Sequence, residues 1–314
     1  FEKSTVTTRG PFIVNKFLAS RRVDTANQVV EGFLTGLHKS PFHGFSVEFA
    51  EHRMYNNGDS IKNIDWKLYA RSDKLFVKRF EEETNLRCHL VIDSSSSMFF
   101  PLDKSSNYNN KLDFSLFSSA CLMNLFRRQR DAFGITLFSD KIELHTDSKV
   151  TKKHYFRLVH ELEKKILERK KINQKTHFPN VLNELAERIK KRSLIIIFSD
   201  LQGSFEKVNE LFYSLRNLKH KKNEIILFHV QDFDKEGELN FKNQFYNFID
   251  LESNEEVKMN PFLFKKEYQD SQIKTYDFIK LKCAQYKIDY FSSDIKEGYA
   301  NILKSYLIKR SKLF

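Results

Sequence analysis

From Arg87 onward the chain alternates between two hydrophobic rhythms. The stretch "RCHLVID" (87–93) is a short apolar run ending in an acid, the pattern of a buried strand. "KLDFSLFSSACLMNLFRRQ" (111–129) instead repeats apolar residues at helical spacing through Leu112, Leu116, Ala120 and Met123. "DAFGITLFSD" (131–140) predicts a second strand and "KIELHT" (141–146) an antiparallel neighbour. Residues 152–170 and 179–191 read as helices, and "SLIIIFSD" (193–200) is the strongest strand signal in the chain. There follow an amphipathic helix (204–218), a buried strand (223–232), an alternating stretch (244–252) and a long helix (263–286). A last strand (287–294) and a closing helix (295–310) end the pattern.

Strands alternating with helices predict a largely parallel sheet with helices on both faces. Before Arg87 the rhythm is weaker. "NQVVEGFLTGLHKS" (27–40) predicts one short helix that stops at Gly36, and "KLFVKRFEEE" (74–83) has strand-like alternation. No internal repeat, low-complexity tract or linker interrupts the chain. The reading is one α/β domain of Rossmann type, residues 87–314, with a smaller N-terminal segment, residues 1–86, packed on it.

Composition changes this picture in few places. Thirty-one phenylalanines can fill a large aromatic core, while 9 glycines and 5 prolines leave little material for flexible linkers. No stretch has the length and apolarity of a membrane span, and "FEKSTVTTRG" has no apolar segment of a secretory signal. A cytoplasmic location is therefore expected. Cys88, Cys121 and Cys283 are far apart and odd in number, which suits buried reduced thiols better than a disulfide framework or a zinc site. The net charge of +12 favours acidic partners or surfaces. Its lysines and arginines are scattered, as in "KKILERKKINQK" (164–175), without interleaved stacking aromatics, so no specific nucleic-acid binding is expected.

The candidate chemistry lies at one edge. Ligands of an open α/β sheet gather beyond the carboxyl ends of its strands. One strand delivers "DSSSS" (93–97) there, and another delivers Ser199 and Asp200. Thr176, in "QKTHFPN" (174–180), precedes a helix that feeds the second of these strands. Asp93, Ser95 and Ser97 form D-x-S-x-S, and alternate residues of an extended loop point the same way. One carboxylate and two hydroxyls then converge, a donor set that suits a hard cation such as Mg²⁺. Ser94 and Ser96 fall on the other side and are expected to bond the loop backbone. A serine turn that caps the next helix is the plainer use of the same residues. No Gly-rich phosphate loop of Walker type is present, and His177 is the one histidine in the candidate loops.

These parts resemble the von Willebrand factor A domain and its metal-ion-dependent adhesion site. The resemblance implies that Asp93, Ser95 and Ser97 supply the first loop, Thr176 the second and Asp200 the third. It also implies Mg²⁺ as the ion, with Mn²⁺ or Ca²⁺ as alternatives, and a partner's acidic side chain that completes its coordination. Residues 43–83 resemble the signature of domain of unknown function family fifty-eight: R-x-Y-x-x-G-D, I-D-W, A-R, then a basic residue and F-E-x-E. It is met by Arg53, Tyr55, Gly58, Asp59, Ile64, Asp65, Trp66, Ala70, Arg71, Lys78, Phe80, Glu81 and Glu83. Members of that family are similar to von Willebrand A proteins and accompany MoxR-type AAA+ ATPases. This implies a non-enzymatic adaptor or co-chaperone for such an ATPase or its client. Within the signature, Trp66 is expected to pack against the core. Arg53, Asp59, Asp65 and Arg71 are expected to form an ion-pair network or, with Tyr55, a docking face. Two other classes stay open, a metal-dependent phosphohydrolase and a basic nucleic-acid-binding protein.

Overall fold

The computed structural model describes residues 46–56, 59, 61, 64–83, 86–101, 110–167, 178–202 and 205–298. The predicted helix at 27–40 lies outside them, as does most of the one at 295–310, whose first residues form a turn. The chain divides into two compact units, one within residues 39–86 and one carrying everything from Arg87 on.

In the smaller unit, β1 (Ser46–Met54) pairs antiparallel with β2 (Phe76–Glu83). The register shifts between Phe49 and Glu51, and this bulge breaks the period of two that would have announced β1 in the sequence. Between the strands lies α1 (Trp66–Ser72), which buries no residue. Its stability comes from its ends. The Asp65 carboxylate accepts from the Lys67 and Leu68 N–H groups, and Asp73, at φ 57°, closes the last turn onto the Tyr69 carbonyl. The expectation that Trp66 packs in the core is not met. It is 58% exposed, with its ring edge-on to Tyr69.

The larger unit is built on a six-stranded sheet. Its strands are β3 (Arg87–Asp93), β4 (Ala132–Phe138), β5 (Ile142–His145), β6 (Leu194–Ser199), β7 (Glu224–Gln231) and β10 (Asp289–Asp294). The spatial order is β10-β7-β6-β3-β4-β5, parallel throughout except for β5 at one edge. A separate antiparallel pair, β8 (Tyr246–Ile249) with β9 (Glu256–Met259), accounts for the alternating stretch.

Helices cover the sheet, and the burial of alternate residues tells the faces apart. Val91, Ile195, Ile197, Ile225 and Leu227 share a core with α4 (Phe178–Arg188), α5 (Phe205–His220) and the C-terminal part of α6 (Pro261–Gln285). Their neighbours Leu90, Ile92, Ile196, Phe198, Ile226 and Phe228 point the other way and are also buried. Helix α2 (Lys111–Arg128) packs against β3 and β4, and α3 (Lys152–Leu167) packs against α2. The predicted α/β architecture, with a mostly parallel central sheet, is the observed one.

The order of the strands matters for the site. From β3 the chain moves to β4 on one side, then returns to place β6 on the other side of β3. The carboxyl ends of β3 and β6 therefore flank a topological switch point, where the crossovers diverge and leave a crevice.

Candidate functional site

Asp93 ends β3 and Ser199 ends β6. The Ser199 hydroxyl donates to Asp93 Oδ2 at 2.8 Å, across the switch point and across 106 residues of sequence. The Ser95 N–H donates to Asp93 Oδ1 at 2.9 Å, which folds the loop back on its own acid. A single 3-10 turn, Ser96–Phe99, then redirects the chain.

The four serines differ in what they do. Ser95 Oγ and Ser97 Oγ lie 3.0 Å apart. The Ser94 hydroxyl points away, toward the β4 carbonyl of Phe138 at 2.8 Å and toward Glu143 at 3.0 Å. Its partners are thus on β4 and β5 rather than in its own loop. Ser139 and Lys165 also bind Glu143, whose carboxyl is lowered because these donors outweigh its burial. Asp93 and the first three serines are fully buried, and Ser97 nearly so.

Asp200 follows β6 directly, and its Oδ2 already has a partner. Lys111, the first residue of α2, donates to it at 2.8 Å and to Glu236 Oε1 at 2.6 Å. The lysine side chain is 0% exposed. Burial alone would lower its pKa, but the two carboxylates outweigh that and raise it. Glu236 sits in a π-helical turn, Phe233–Gly237, and also accepts from the Gln202 amide and the Asp232 N–H. Sequence reading missed Lys111 and Glu236. The only signal was a lysine at a helix start, where its charge opposes the helix dipole and calls for compensation.

Burial raises the Asp93 carboxyl to about 7, and the neighbouring negative charge of Asp200 adds to the rise. Two acids held this close favour a cation between or beside them. His229, the histidine beside this edge, is fully engaged. Its Nε2 meets the Asp200 carbonyl at 2.9 Å and its Nδ1 meets the Tyr290 hydroxyl at 2.7 Å. Burial drives its pKa to about 4, so it stays neutral near pH 7.

The residues described fit a hard divalent ion. Two octahedral ligands at 90° and ~2.1 Å bond lengths stand about 3.0 Å apart; the Ser95 and Ser97 hydroxyls hydrogen-bond to each other at 3.0 Å, a spacing that an ion could take over. Among the described residues, no three His, Cys, Asp or Glu side chains group as a metal cage. The donor set is therefore hydroxyl-rich and suits an ion that keeps water ligands. Thr176 lies outside the described residues.

The signature residues of the smaller unit pair locally. Arg53 donates to Asp59 at 2.6 Å, and His52 Nε2 lies 2.9 Å from Asp65. Asp65 serves as the α1 cap rather than meeting Arg53. Tyr55 is half-buried and hydrogen-bonds through its N–H to the Leu75 carbonyl, while Arg71 is exposed in the last turn of α1.

An α/β sheet with an acid-and-hydroxyl edge, preceded by this signature, places the chain in a class, and comparison with protein families names it. The model for "Protein of unknown function DUF58" matches residues 51–275, and the chain belongs to that family. The uncharacterized protein Rv1480 of Mycobacterium tuberculosis (strain H37Rv) and the uncharacterized protein Mb1516 of Mycobacterium bovis are each 33% identical over 76 residues. That is 24% of this chain and 24% of each relative. The chain thus matches about a quarter of the length of these curated relatives. Among solved structures, the conserved hypothetical protein BatB from Bacteroides thetaiotaomicron is similar with a TM-score of 0.44 and 12% identity, over 72% of this chain and 99% of that one. An aerotolerance-related membrane protein from Bacteroides fragilis gives 0.43 and 12%, over 73% and 100%. Among the described residues no helix is long and apolar enough to cross a membrane.

Proposed function

We propose that this chain is a non-enzymatic protein-binding module whose Asp93–Ser95–Ser97 edge holds Mg²⁺, Mn²⁺ and Ca²⁺ being alternatives. The observation that carries the reading is the 3.0 Å spacing of the two hydroxyls beside a buried carboxylate at the switch point. When bound, the ion supplies a positive centre with an exchangeable position for a carboxylate. Asp93 stays ionised there, with Ser199 and the Ser95 N–H orienting its two oxygens. Asp200 contributes from farther out, since Lys111 holds its Oδ2. Thr176 is the remaining candidate ligand.

The partner is an acidic side chain of a MoxR-type AAA+ ATPase or of its client, and the excess of positive charge assists the encounter. His229, beside this edge, is buried, neutral and engaged at both nitrogens, which favours binding; Asp93, raised to about 7, is the group an enzymatic reading would use as base. Three cysteines outside any disulfide suit a reducing, cytoplasmic setting.

The test is recovery of a MoxR-type ATPase on the immobilised protein with Mg²⁺ and with EDTA, alongside calorimetric titration of Mg²⁺. Recovery should need Mg²⁺ and should be lost in Asp93→Ala. Equal recovery in EDTA, with Asp93→Ala also silent, removes the ion from the mechanism. Turnover of a phosphomonoester that Asp93→Ala abolishes would replace the binding role with an enzymatic one.

A further inference from the structure

Helix α6 has no single apolar face. A helix lying on a sheet normally turns an apolar stripe inward. Along the first turns of α6 the outward side chains include Leu263 at 69% and Ile273 at 56% exposure, with Leu281 at 63% nearer its end. The stripe toward the sheet edge is Tyr268, Ser271, Gln272, Thr275 and Tyr276, at alternating steps of three and one. Only Ile279 and Cys283, farther along, join the core. The polar stripe borders a cleft of about 460 Å³, whose opposite wall is Asp200, Gln202 and Glu236 and whose floor is His229 and Gln231. Small-molecule sites span roughly 300–1,000 Å³.

The floor carries an unmet demand. Gln231 is 6% exposed. One end of its amide lies 3.0 Å from the Tyr276 hydroxyl and 2.9 Å from His229 Nε2. The other end is buried and, among the described residues, has no hydrogen-bond partner. Because His229 Nε2 donates to the Asp200 carbonyl, the amide oxygen belongs on the His229 and Tyr276 side, and the unpaired end is the NH2 group, which asks for an acceptor. A buried polar atom without a partner is costly unless something else satisfies it.

Charge, rather than this amide, selects what the cleft takes. The partners of Glu236 are the Lys111 ammonium, the Gln202 amide and the Asp232 N–H, all donors, so its carboxyl accepts from each; burial outweighs them and raises its pKa, above which it is ionised. Asp200 and Glu236 face a single ammonium, which leaves the wall with one net negative charge. Tyr268 feels it: burial first, then the Glu236 charge, pushes its hydroxyl up to about 12. An anion is repelled, and a neutral polyol leaves the charge unanswered.

We propose that the cleft between α6 and the ends of β6 and β7 binds a small organic cation, an alkylammonium or guanidinium group with several N–H donors. The carboxylate wall attracts the charge, the amide and hydroxyl stripe takes the remaining donors, and the tyrosine rings offer faces to a planar or alkyl group. The site needs no metal; it adjoins the proposed Mg²⁺ edge and shares Asp200 with it.

The test is titration of the protein in EDTA with agmatine and with spermidine, followed by calorimetry and ligand-observed NMR. Glucose and glutamate serve as neutral and anionic controls. A cation should bind saturably and at least about tenfold tighter than either control. Glu236→Gln should weaken it. Ser271→Trp, an exposed position on the cleft side of α6, should abolish it by filling the space while leaving the buried network intact. Binding of glucose or glutamate as tight as that of the cations, or cation binding that survives Ser271→Trp, overturns the proposal. So does no detectable binding of either cation at about 10 mM, weaker than any useful affinity. Because these titrations contain no divalent ion, their failure leaves the Mg²⁺ reading standing, and loss of the Mg²⁺ reading leaves them standing.

Discussion

Lys111 Nζ lies 2.8 Å from Asp200 Oδ2 and 2.6 Å from Glu236 Oε1, with the lysine wholly out of solvent. The pair of acids is tolerable only because this ammonium stands between them. Lys111→Met leaves two buried carboxylates without a counter-charge and should cost about 3–5 kcal/mol in urea unfolding. Adding Glu236→Gln removes one of the stranded charges and should return part of that loss. Strictly additive losses in the double variant would mean that the three groups do not act as a unit.

The serine loop separates by alternation. Ser95→Ala removes one of the two hydroxyls that stand 3.0 Å apart and should weaken Mg²⁺ binding by at least about tenfold. Ser96→Ala should leave it unchanged. Mg²⁺ calorimetry on the two variants decides, and equal effects would dissolve the distinction between the serines.

His89 makes stability depend on acid. It is buried in β3, with Nε2 2.7 Å from the Thr136 hydroxyl, and burial, helped by His145, lowers its pKa from 6.5 to about 3. Between these values the unfolded chain binds a proton that the native chain refuses. The stabilising contribution is therefore full above pH 6.5 and is lost as the pH falls toward 3. One such group changes stability by at most about 1.4 kcal/mol per pH unit. His89→Gln should flatten the acid limb of the urea-unfolding profile by about one proton. An unchanged slope would place the acid sensitivity elsewhere.

Gly134 is a packing constraint. A Cβ built there would stand 2.5 Å from the Thr146 carbonyl oxygen and 3.1 Å from His89 Nδ1. The obstacle is backbone, already tied by the Thr146 hydroxyl to the Ile135 N–H at 2.9 Å. Gly134→Ala should cost about 1–3 kcal/mol by denaturant unfolding. A neutral result would show that the β5 end yields easily.

The central sheet was legible because its strands are buried on both faces and so appear as unbroken apolar runs, as in "SLIIIFSD". β1 and α1 were not. The bulge at Phe49 interrupts the one, and the other buries nothing, so neither carries a period. At the site, the alternation within "DSSSS" separated Ser94 from the facing hydroxyls of Ser95 and Ser97. Ser199 was visible at its strand end. Lys111 and Glu236 were not, because contacts spanning 89 and 125 residues leave no local trace. The polar stripe of α6 was written in the chain at helical spacing, but with apolar residues on the outer side it gave no single face to follow.

The bond from Ser199 to Asp93 has a bearing on how the molecule matures. It spans 106 residues of chain, and the overlapping bridges from Lys111 span 89 and 125. Closing such loops is entropically costly and must await the parallel pairing of β3 with β6 and of β6 with β7. The edge is thus assembled late, from parts that no short fragment contains. The same bonds are therefore a seal of completed folding: only a finished sheet brings these atoms together.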